Sequence, residues 1–128
     1  MRDHPKDVAA RLDLAQRYQE VGNAQGAVEQ YLAALSIDPS NAEARAALGF
    51  VLYLSGKPQE GLDSVRAALE SDPHDPEATY YEGIILLDGL HRPAEAADAF
   101  RAYLAAAPFG SHVDEVRSLL ARAEAASG

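Results

Sequence analysis

Two short stretches, SIDPSN at residues 36–41 and ESDPHDP at residues 70–76, share one pattern: an aspartate and a proline, then a helix-capping residue two positions after the proline. Prolines recur along the chain with spacings of 34, 34 and 35 residues, at Pro5, Pro39, Pro73 and Pro108. Capping residues follow the first three prolines with the same period, at Asp7, Asn41 and Asp75. Two series in phase indicate an internal repeat of 34 residues.

Each unit between these prolines has the pattern of two amphipathic helices joined by a short turn. Apolar residues recur every three or four positions on both sides of GNAQG (22–26), SGKPQ (55–59) and DGLHRP (88–93). The glycines and prolines of these segments are typical of helix ends. The third unit is one residue longer, and the extra residue falls in DGLHRP, so we expect that turn to bulge.

Composition agrees with helices and limits the chemistry. Alanine and leucine dominate the apolar residues and tryptophan is absent, which favours close-packed helices over strands. The chain has no cysteine, which excludes disulfides and thiolate sites. A net charge of −9 opposes binding to nucleic acid or to an anionic membrane. The longest apolar run, AALGFVLYL (46–54), is too short to cross a bilayer, so we expect a soluble segment without membrane contact.

The paired helices carry small and large side chains at matching places. We expect Ala15 with Ala27, and Gly49 with Gly61, to let the two helices of a unit approach closely. Large residues fill the gaps between layers, at Tyr18, Tyr31, Val65 and Phe100.

A 34-residue helix-turn-helix unit with these small, large and proline positions resembles the tetratricopeptide repeat. The resemblance spans residues from about 5 to 108 and rests on positions such as Leu14, Ala15, Tyr18, Ala27, Tyr31, Leu48, Gly49, Gly61, Val65, Gly83, Ala96 and Phe100. It implies an all-α fold of one domain over residues 1–128. We expect a right-handed α-solenoid with repeats at about 8–41, 42–75 and 76–110 and a capping helix at about 112–126, seven helices in total.

One departure from the repeat pattern is Glu82, which stands where the family usually has leucine. Two interpretations are open. Glu82 is either a partly buried carboxylate, with Arg45 or Arg92 as its partner, or a side chain turned to solvent.

Catalytic and cofactor motifs are absent from the sequence. No glycine-rich phosphate loop, nucleophile elbow or H-E-x-x-H motif occurs. The histidines are scattered through turns and termini, at His4, His74, His91 and His112. The acidic segment DPHDPE (72–77) is explained by helix capping, since Asp75 precedes Pro76 at a helix start. We therefore expect no catalytic residue, metal or cofactor.

By the resemblance, the first helix of each repeat lines a concave groove, and the expected partner is a protein or peptide. The residues expected to face or edge this groove are Leu12, Gln16, Gln19, Phe50, Tyr53, Tyr80, Tyr81, Ile84 and Leu87. Its apolar, aromatic centre suits an apolar or basic-flanked segment. Some family members grip a chaperone carboxylate with cations, but the matching positions here offer none, at Leu12, Gln16, Ala47, Glu77 and Tyr81. The alternative is that the same apolar groove forms a homodimer.

The tail LAAAPFGSHVDEVRSLLARAEAA (104–126) is similar to the end of the tetratricopeptide subunit of bacterial cytochrome c maturation. The matching residues are Pro108, Gly110 and Ser111 of a PxGS turn. This resemblance implies a further alternative, in which the segment is the soluble part of a membrane-anchored protein that binds an apocytochrome. Otherwise a cytoplasmic location is the default expectation.

Overall fold

Seven α-helices joined by short turns make up residues 5–128, the part of the chain that the computed structural model describes, with side chains from Asp7 onward. Their bounds are α1 Pro5–Glu20, α2 Ala24–Ile37, α3 Ala42–Leu54, α4 Pro58–Ser71, α5 Pro76–Ile84, α6 Pro93–Ala106 and α7 Val113–Ser127. This range contains no strand. His4 lies outside the described residues. The architecture is the all-α solenoid that the sequence predicted, with helices packed as successive antiparallel pairs and α7 against α6.

Side-chain caps fix the starts of the first helices in the second and third pairs. The Asn41 side-chain oxygen accepts a hydrogen bond from the backbone N–H of Ala44 at 2.8 Å, and Asp75 accepts one from Glu77 at 3.3 Å. Both predicted caps are thereby confirmed. The predicted cap at Asp7 is wrong, because α1 already begins at Pro5 and Asp7 lies in its first turn. A carboxylate there still favours the positive end of the helix.

The longer third unit absorbs its extra residue at the end of α5. The helix continues as a π-helical turn, Ile85–Gly89, in which the Leu90 N–H donates to the Ile85 carbonyl at 2.9 Å. His91 follows with φ of 55°, the left-handed region that L-residues rarely adopt. The predicted bulge in DGLHRP is confirmed, and its form is a wider helical turn followed by one left-handed residue.

Glycine permits the closest helix contact, between α3 and α4. A Cβ placed on Gly49 would lie 2.5 Å from the Gly61 carbonyl oxygen, and a Cβ on Gly61 would meet the Gly49 carbonyl in turn. A Cβ on Gly83 of α5 would strike the ring of Phe100 on α6. Ala15 and Ala27 are fully buried in the first pair. The paired small positions therefore serve close approach, as expected.

The buried side chains form two clusters that meet at α3. The first core cluster comes from α1, α2 and α3 and comprises Val8, Ala15, Ala27, Tyr31, Ala34, Ala44, Leu48 and Val51. The second core cluster runs from Ala46 on α3 to Ala123 on α7, with Phe100, Tyr103 and Val116 among its fully buried members. Consecutive elements share each cluster, which is typical of a repeat array.

Glu82 is a partly buried carboxylate, 17% exposed, and pairs with Arg66 of α4 at 3.0 Å. The same guanidinium reaches Glu95 on α6 at 3.3 Å. Of the two interpretations, the partly buried carboxylate is confirmed, but the predicted partners Arg45 and Arg92 are wrong. The reason is packing: α4 lies against α5 and brings Arg66 beside Glu82.

Tyr31 makes folding sensitive to alkaline pH. Its ring is 1% exposed, and its hydroxyl donates a hydrogen bond to the side-chain oxygen of Gln19. Burial, with the nearby Glu43 carboxylate, raises the pKa of Tyr31 from 10.0 to about 12. A raised pKa stabilises the fold below pH 10, and this stabilisation is lost as the pH rises from 10 towards 12. We expect Tyr31→Phe to reduce the alkaline loss of stability.

Urea titrations at pH 8 and pH 11, followed by circular dichroism, measure this effect. At pH 8 the phenylalanine variant should be less stable by about 0.5–1.5 kcal/mol, because the hydrogen bond to Gln19 is lost. Between the two pH values its unfolding midpoint should fall less than that of the wild type. An equal fall in both proteins would show that Tyr31 does not contribute to the alkaline transition.

Candidate binding groove

A cleft of about 380 Å³ opens where α1, α3 and α5, the first helices of the three pairs, meet. We call it the acidic cleft; its lining residues are Gln16 from α1, Glu43, Ala46 and Ala47 from α3, and Asp75, Glu77 and Tyr81 at the start of α5. Four of the five residues that the resemblance matched to carboxylate-binding positions, Gln16, Ala47, Glu77 and Tyr81, thus line one cleft. The walls come from three helices that the fold holds side by side.

Small residues on α3 leave the space for this cleft. Ala47 stands 34 residues before Tyr81, so the two occupy equivalent places in neighbouring repeats. Ala47 leaves space on the α3 side of the cleft. The half-buried ring of Tyr81 forms an aromatic wall on the α5 side.

The charge of the acidic cleft is uniformly negative. Its lining includes three carboxylates and no lysine, arginine or histidine. Within residues 7–128, Glu43 and Asp75 form no ion pair, and Oε1 of Glu77 lies 3.4 Å from Nε2 of the His112 ring. The carboxylates are therefore left largely uncompensated.

The electrostatic effect of this charge is seen in two neighbouring groups. Burial raises the pKa of the Tyr81 hydroxyl, and the Glu77 carboxylate raises it further. Burial also raises the pKa of Asp75, and the charges of Asp72 and Glu77 add to the rise against the backbone N–H groups that bond it. Burial disfavours a charge of either sign, whereas the nearby carboxylates specifically oppose an additional negative charge.

A row of aromatic rings runs from the acidic cleft across α3 and α5. We call it the aromatic row; its members are Tyr53, Phe50, Tyr81, Tyr80 and His112. Consecutive ring centroids lie 5.7, 4.5, 5.8 and 4.0 Å apart. Phe50 and Tyr81 are stacked at an interplanar angle of 17°, and the His112 ring is parallel to Tyr80 within 2°. Rings from two repeats and from the segment before α7 thus form one continuous series of contacts, in which Tyr80 is buried.

Polar contacts attach α7 to the same region of α5. The Tyr80 hydroxyl donates a hydrogen bond to Glu115 at 2.8 Å, and Arg122 pairs with Asp88 at 2.9 Å. Val116 and Ala123 of α7 are fully buried in the second core cluster. The final helix therefore covers the apolar end of the third pair.

The structure separates the nine predicted groove residues into two groups. Gln16 is exposed, and five others are half-buried: Leu12, Gln19, Phe50, Tyr53 and Tyr81. Tyr80, Ile84 and Leu87 are only 9, 9 and 8% exposed and belong to the second core cluster. This corrects the expectation that those three present their side chains to a partner, because α6 and α7 cover them. Gln19 is also engaged internally, with the hydroxyl of Tyr31.

Sequence reasoning missed Glu43 and assigned Asp75 only a capping role. A signal was available, because Glu43 and Glu77 are 34 residues apart and each stands two positions after a helix cap. Equivalent positions in adjacent repeats lie side by side in a solenoid, so two carboxylates on the same face were predictable from the period.

Two absences hold for residues 5–128. No group of three histidine or acidic side chains is placed to hold a metal ion there. In this same range, no helix combines the length and apolar character needed to cross a membrane.

Comparison with known families agrees with this geometry. A family model described as TPR repeat matches residues 15–56, and a second, described as Tetratricopeptide repeat, matches residues 51–111. The chain belongs to the tetratricopeptide repeat family. No curated protein sequence matches this TPR chain.

Solved structures share the TPR fold over nearly the whole chain. The first TPR of Spaghetti (RPAP3), bound to the HSP90 peptide SRMEEVD, superposes with a TM-score of 0.87 at 16% identity and covers 94% of this chain and 95% of that one. The TPR2B domain of yeast Sti1, in complex with an Hsp70 peptide, gives 0.85 at 18% identity over 93% and 97%. A mutant of Thermobaculum terrenum O-GlcNAc transferase gives 0.86 at 24% identity, over 96% of this chain and 23% of the transferase. These identities establish the fold alone.

Proposed function

We propose that this TPR chain is a non-enzymatic protein-interaction module that binds a peptide segment of a partner protein across α1, α3 and α5. The observation that carries the proposal is the acidic cleft beside the half-buried aromatic pair Phe50 and Tyr81. A concave site with an aromatic wall and a few polar groups is typical of ligand recognition. Solved domains of the same fold hold HSP90 and HSP70 peptides, which supports this use of the fold.

In this proposal, the partner peptide contacts those predicted groove residues whose side chains are accessible. Phe50, Tyr53 and Tyr81 offer ring surface, and Gln16 offers an amide at the opposite wall. Leu12 and Gln19 extend the face along α1. Buried Tyr80, Ile84 and Leu87 hold α5 in place, so their substitution should affect folding before it affects binding.

A non-enzymatic role fits the chemistry of the cleft. Its polar groups are carboxylates, an amide and a phenol, with no serine, threonine or cysteine nucleophile beside a base. The glycosyltransferase among the structural neighbours shares the fold over only 23% of its length, so the likeness does not extend to its remaining length.

Self-association through the same face is disfavoured by charge. Two copies would bring the carboxylates of two acidic clefts together on a chain with a net charge of −9. The cytochrome maturation alternative rests on the PxGS turn, and packing alone explains its glycine: a Cβ on Gly110 would lie 2.5 Å from the Tyr103 hydroxyl.

Selection from a phage-displayed library of random dodecapeptides tests the proposed function. We expect the immobilised chain to enrich peptides that bind as synthetic, fluorescein-labelled segments in an anisotropy assay. Phe50→Ala should raise their Kd by about tenfold or more, because a desolvated aromatic anchor at the centre of an interface contributes on the order of 1.4–2 kcal/mol.

Phe109→Ala is the matched control, since Phe109 is 98% exposed in the turn before α7 and lies outside the acidic cleft. It should leave the Kd unchanged. Light scattering of the free protein should give the monomer mass of 13.7 kDa. Failure to enrich any peptide, or equal Kd values for wild type, Phe50→Ala and Tyr81→Ala, would contradict binding at this groove.

A further inference from the structure

We propose that the acidic cleft receives an arginine side chain of the docked segment, an inference that rests on the proposed function and specifies its partner. The segment would place apolar side chains on Phe50 and Tyr53 of the aromatic row and direct one guanidinium between α1, α3 and α5. Three properties of the acidic cleft support an arginine side chain as its ligand: its charge, its shape and the separation of its carboxylates.

Charge complementarity selects a cation. Glu43, Asp75 and Glu77 surround the cleft, and no lysine, arginine or histidine lines it. The net charge of −9 extends the negative potential beyond the cleft and should accelerate the approach of a basic segment. An acidic segment would meet these carboxylates directly. We therefore expect an acidic segment without arginine, such as the EEVD end of the SRMEEVD peptide that the first TPR of Spaghetti holds, to bind this cleft poorly.

The spread of the carboxylates favours an organic cation over a metal ion. Within residues 5–128 no three histidine or acidic side chains are close enough to share one ion. The cleft volume of about 380 Å³ is also larger than a metal site requires and accommodates a long side chain. Separated carboxylates suit a forked group whose several N–H donors point in different directions.

The aromatic wall favours arginine over lysine. Tyr81 lines the acidic cleft and is stacked on Phe50 at 4.5 Å. A planar guanidinium can lie against such a ring while its N–H groups bond carboxylates at its edge, whereas an ammonium is a compact, strongly hydrated charge. Glu77 has the His112 Nε2 at 3.4 Å and a hydrogen bond with the Tyr81 hydroxyl, and a carboxylate with about four acceptor sites can still accept a further donor.

Peptides enriched in the library selection test the inference directly. We expect them to contain arginine more often than the unselected library, beside apolar residues. Replacing that arginine by citrulline, which keeps the shape and removes the charge, should raise the Kd by about tenfold, and lysine should give an intermediate value.

Variants of the chain assign the effect to the cleft. Glu43→Gln should weaken the arginine peptide about two- to fivefold, the effect of an exposed ion pair, and leave the citrulline peptide unchanged. Glu70→Gln is the control, because it removes the same unit of charge from an exposed position on α4 outside the cleft. Asp75 is not substituted, since it caps α5.

Each result is decisive for one of the two proposals. Enriched peptides without basic residues, whose affinity still falls with Phe50→Ala, would overturn the arginine assignment and leave groove binding intact. Lysine equal to or better than arginine would overturn the choice of guanidinium. Equal losses with Glu43→Gln and Glu70→Gln would place the charge effect outside the cleft. A selection that yields no binding peptide would remove the proposed function together with this inference.

Discussion

Replacing Phe100 by alanine should lower the free energy of unfolding by about 3–5 kcal/mol, the range for deleting a buried aromatic ring. Phe100 is completely buried, and its ring fills the space that Gly83 leaves on α5. Gly83 contributes no side chain that could move into the vacated volume. The cavity should therefore persist, and urea unfolding followed by circular dichroism should show a strongly lowered midpoint with an unchanged slope.

Phe109→Ala deletes the same ring from a position that is 98% exposed. It should change the free energy of unfolding by less than about 0.5 kcal/mol. A loss below about 1 kcal/mol for Phe100→Ala would show that α5 and α6 close over the cavity, and that their packing is looser than the contact with Gly83 indicates.

Gly49→Ala should destabilise the chain by about 1–3 kcal/mol, although alanine is intrinsically the better helix former. The added methyl would lie 2.5 Å from the Gly61 carbonyl oxygen and 2.6 Å from Cγ2 of Val65. The contact with the Gly61 carbonyl is a contact with the backbone, so no change of side-chain rotamer can relieve it. Relief requires α3 and α4 to separate, and both core clusters draw side chains from α3. Thermal unfolding measures the loss.

Gly26→Ala provides the comparison for an otherwise similar helical glycine. Its Cβ would lie 2.9 Å from Cγ and Cδ1 of Tyr18 and 3.0 Å from Nδ2 of Asn23, which are side-chain atoms of accessible residues and not backbone. The gain of up to about 1 kcal/mol in helix propensity should then offset most of the cost. If Gly49→Ala is no more destabilising than Gly26→Ala, the close approach of α3 and α4 does not limit stability.

The fold was predictable because the same sequence pattern occurs at more than one repeat boundary. Two boundaries carry a proline followed by a helix cap, at Pro39 with Asn41 and at Pro73 with Asp75, and the structure confirms both caps. The predicted cap at Asp7 is wrong because α1 begins two residues earlier, at Pro5, and proline is favoured at the first position of a helix. The partner of Glu82 was not predictable either, since it depends on which arginine α4 carries to α5.

The groove was predictable as a face but not as a set of exposed side chains. The period places Phe50 and Ile84 at equivalent positions, yet Phe50 is half-buried and Ile84 is in the core. The difference comes from α6 and α7, which cover the third pair, and from the π-helical turn that follows Ile84. Such asymmetry between repeats arises from tertiary packing and is not encoded in the local pattern.

The division of the interior at α3 has a consequence for dynamics. The first helical pair, α1 and α2, shares its core cluster with α3 alone, so we expect it to open locally at a lower free energy than the helices of the second core cluster. Gln16 is the residue of α1 that lines the acidic cleft, and the other lining residues belong to α3 and to the beginning and body of α5. A ligand that spans these walls would bind only the closed form, so occupancy and the order of the amino-terminal pair would be thermodynamically linked.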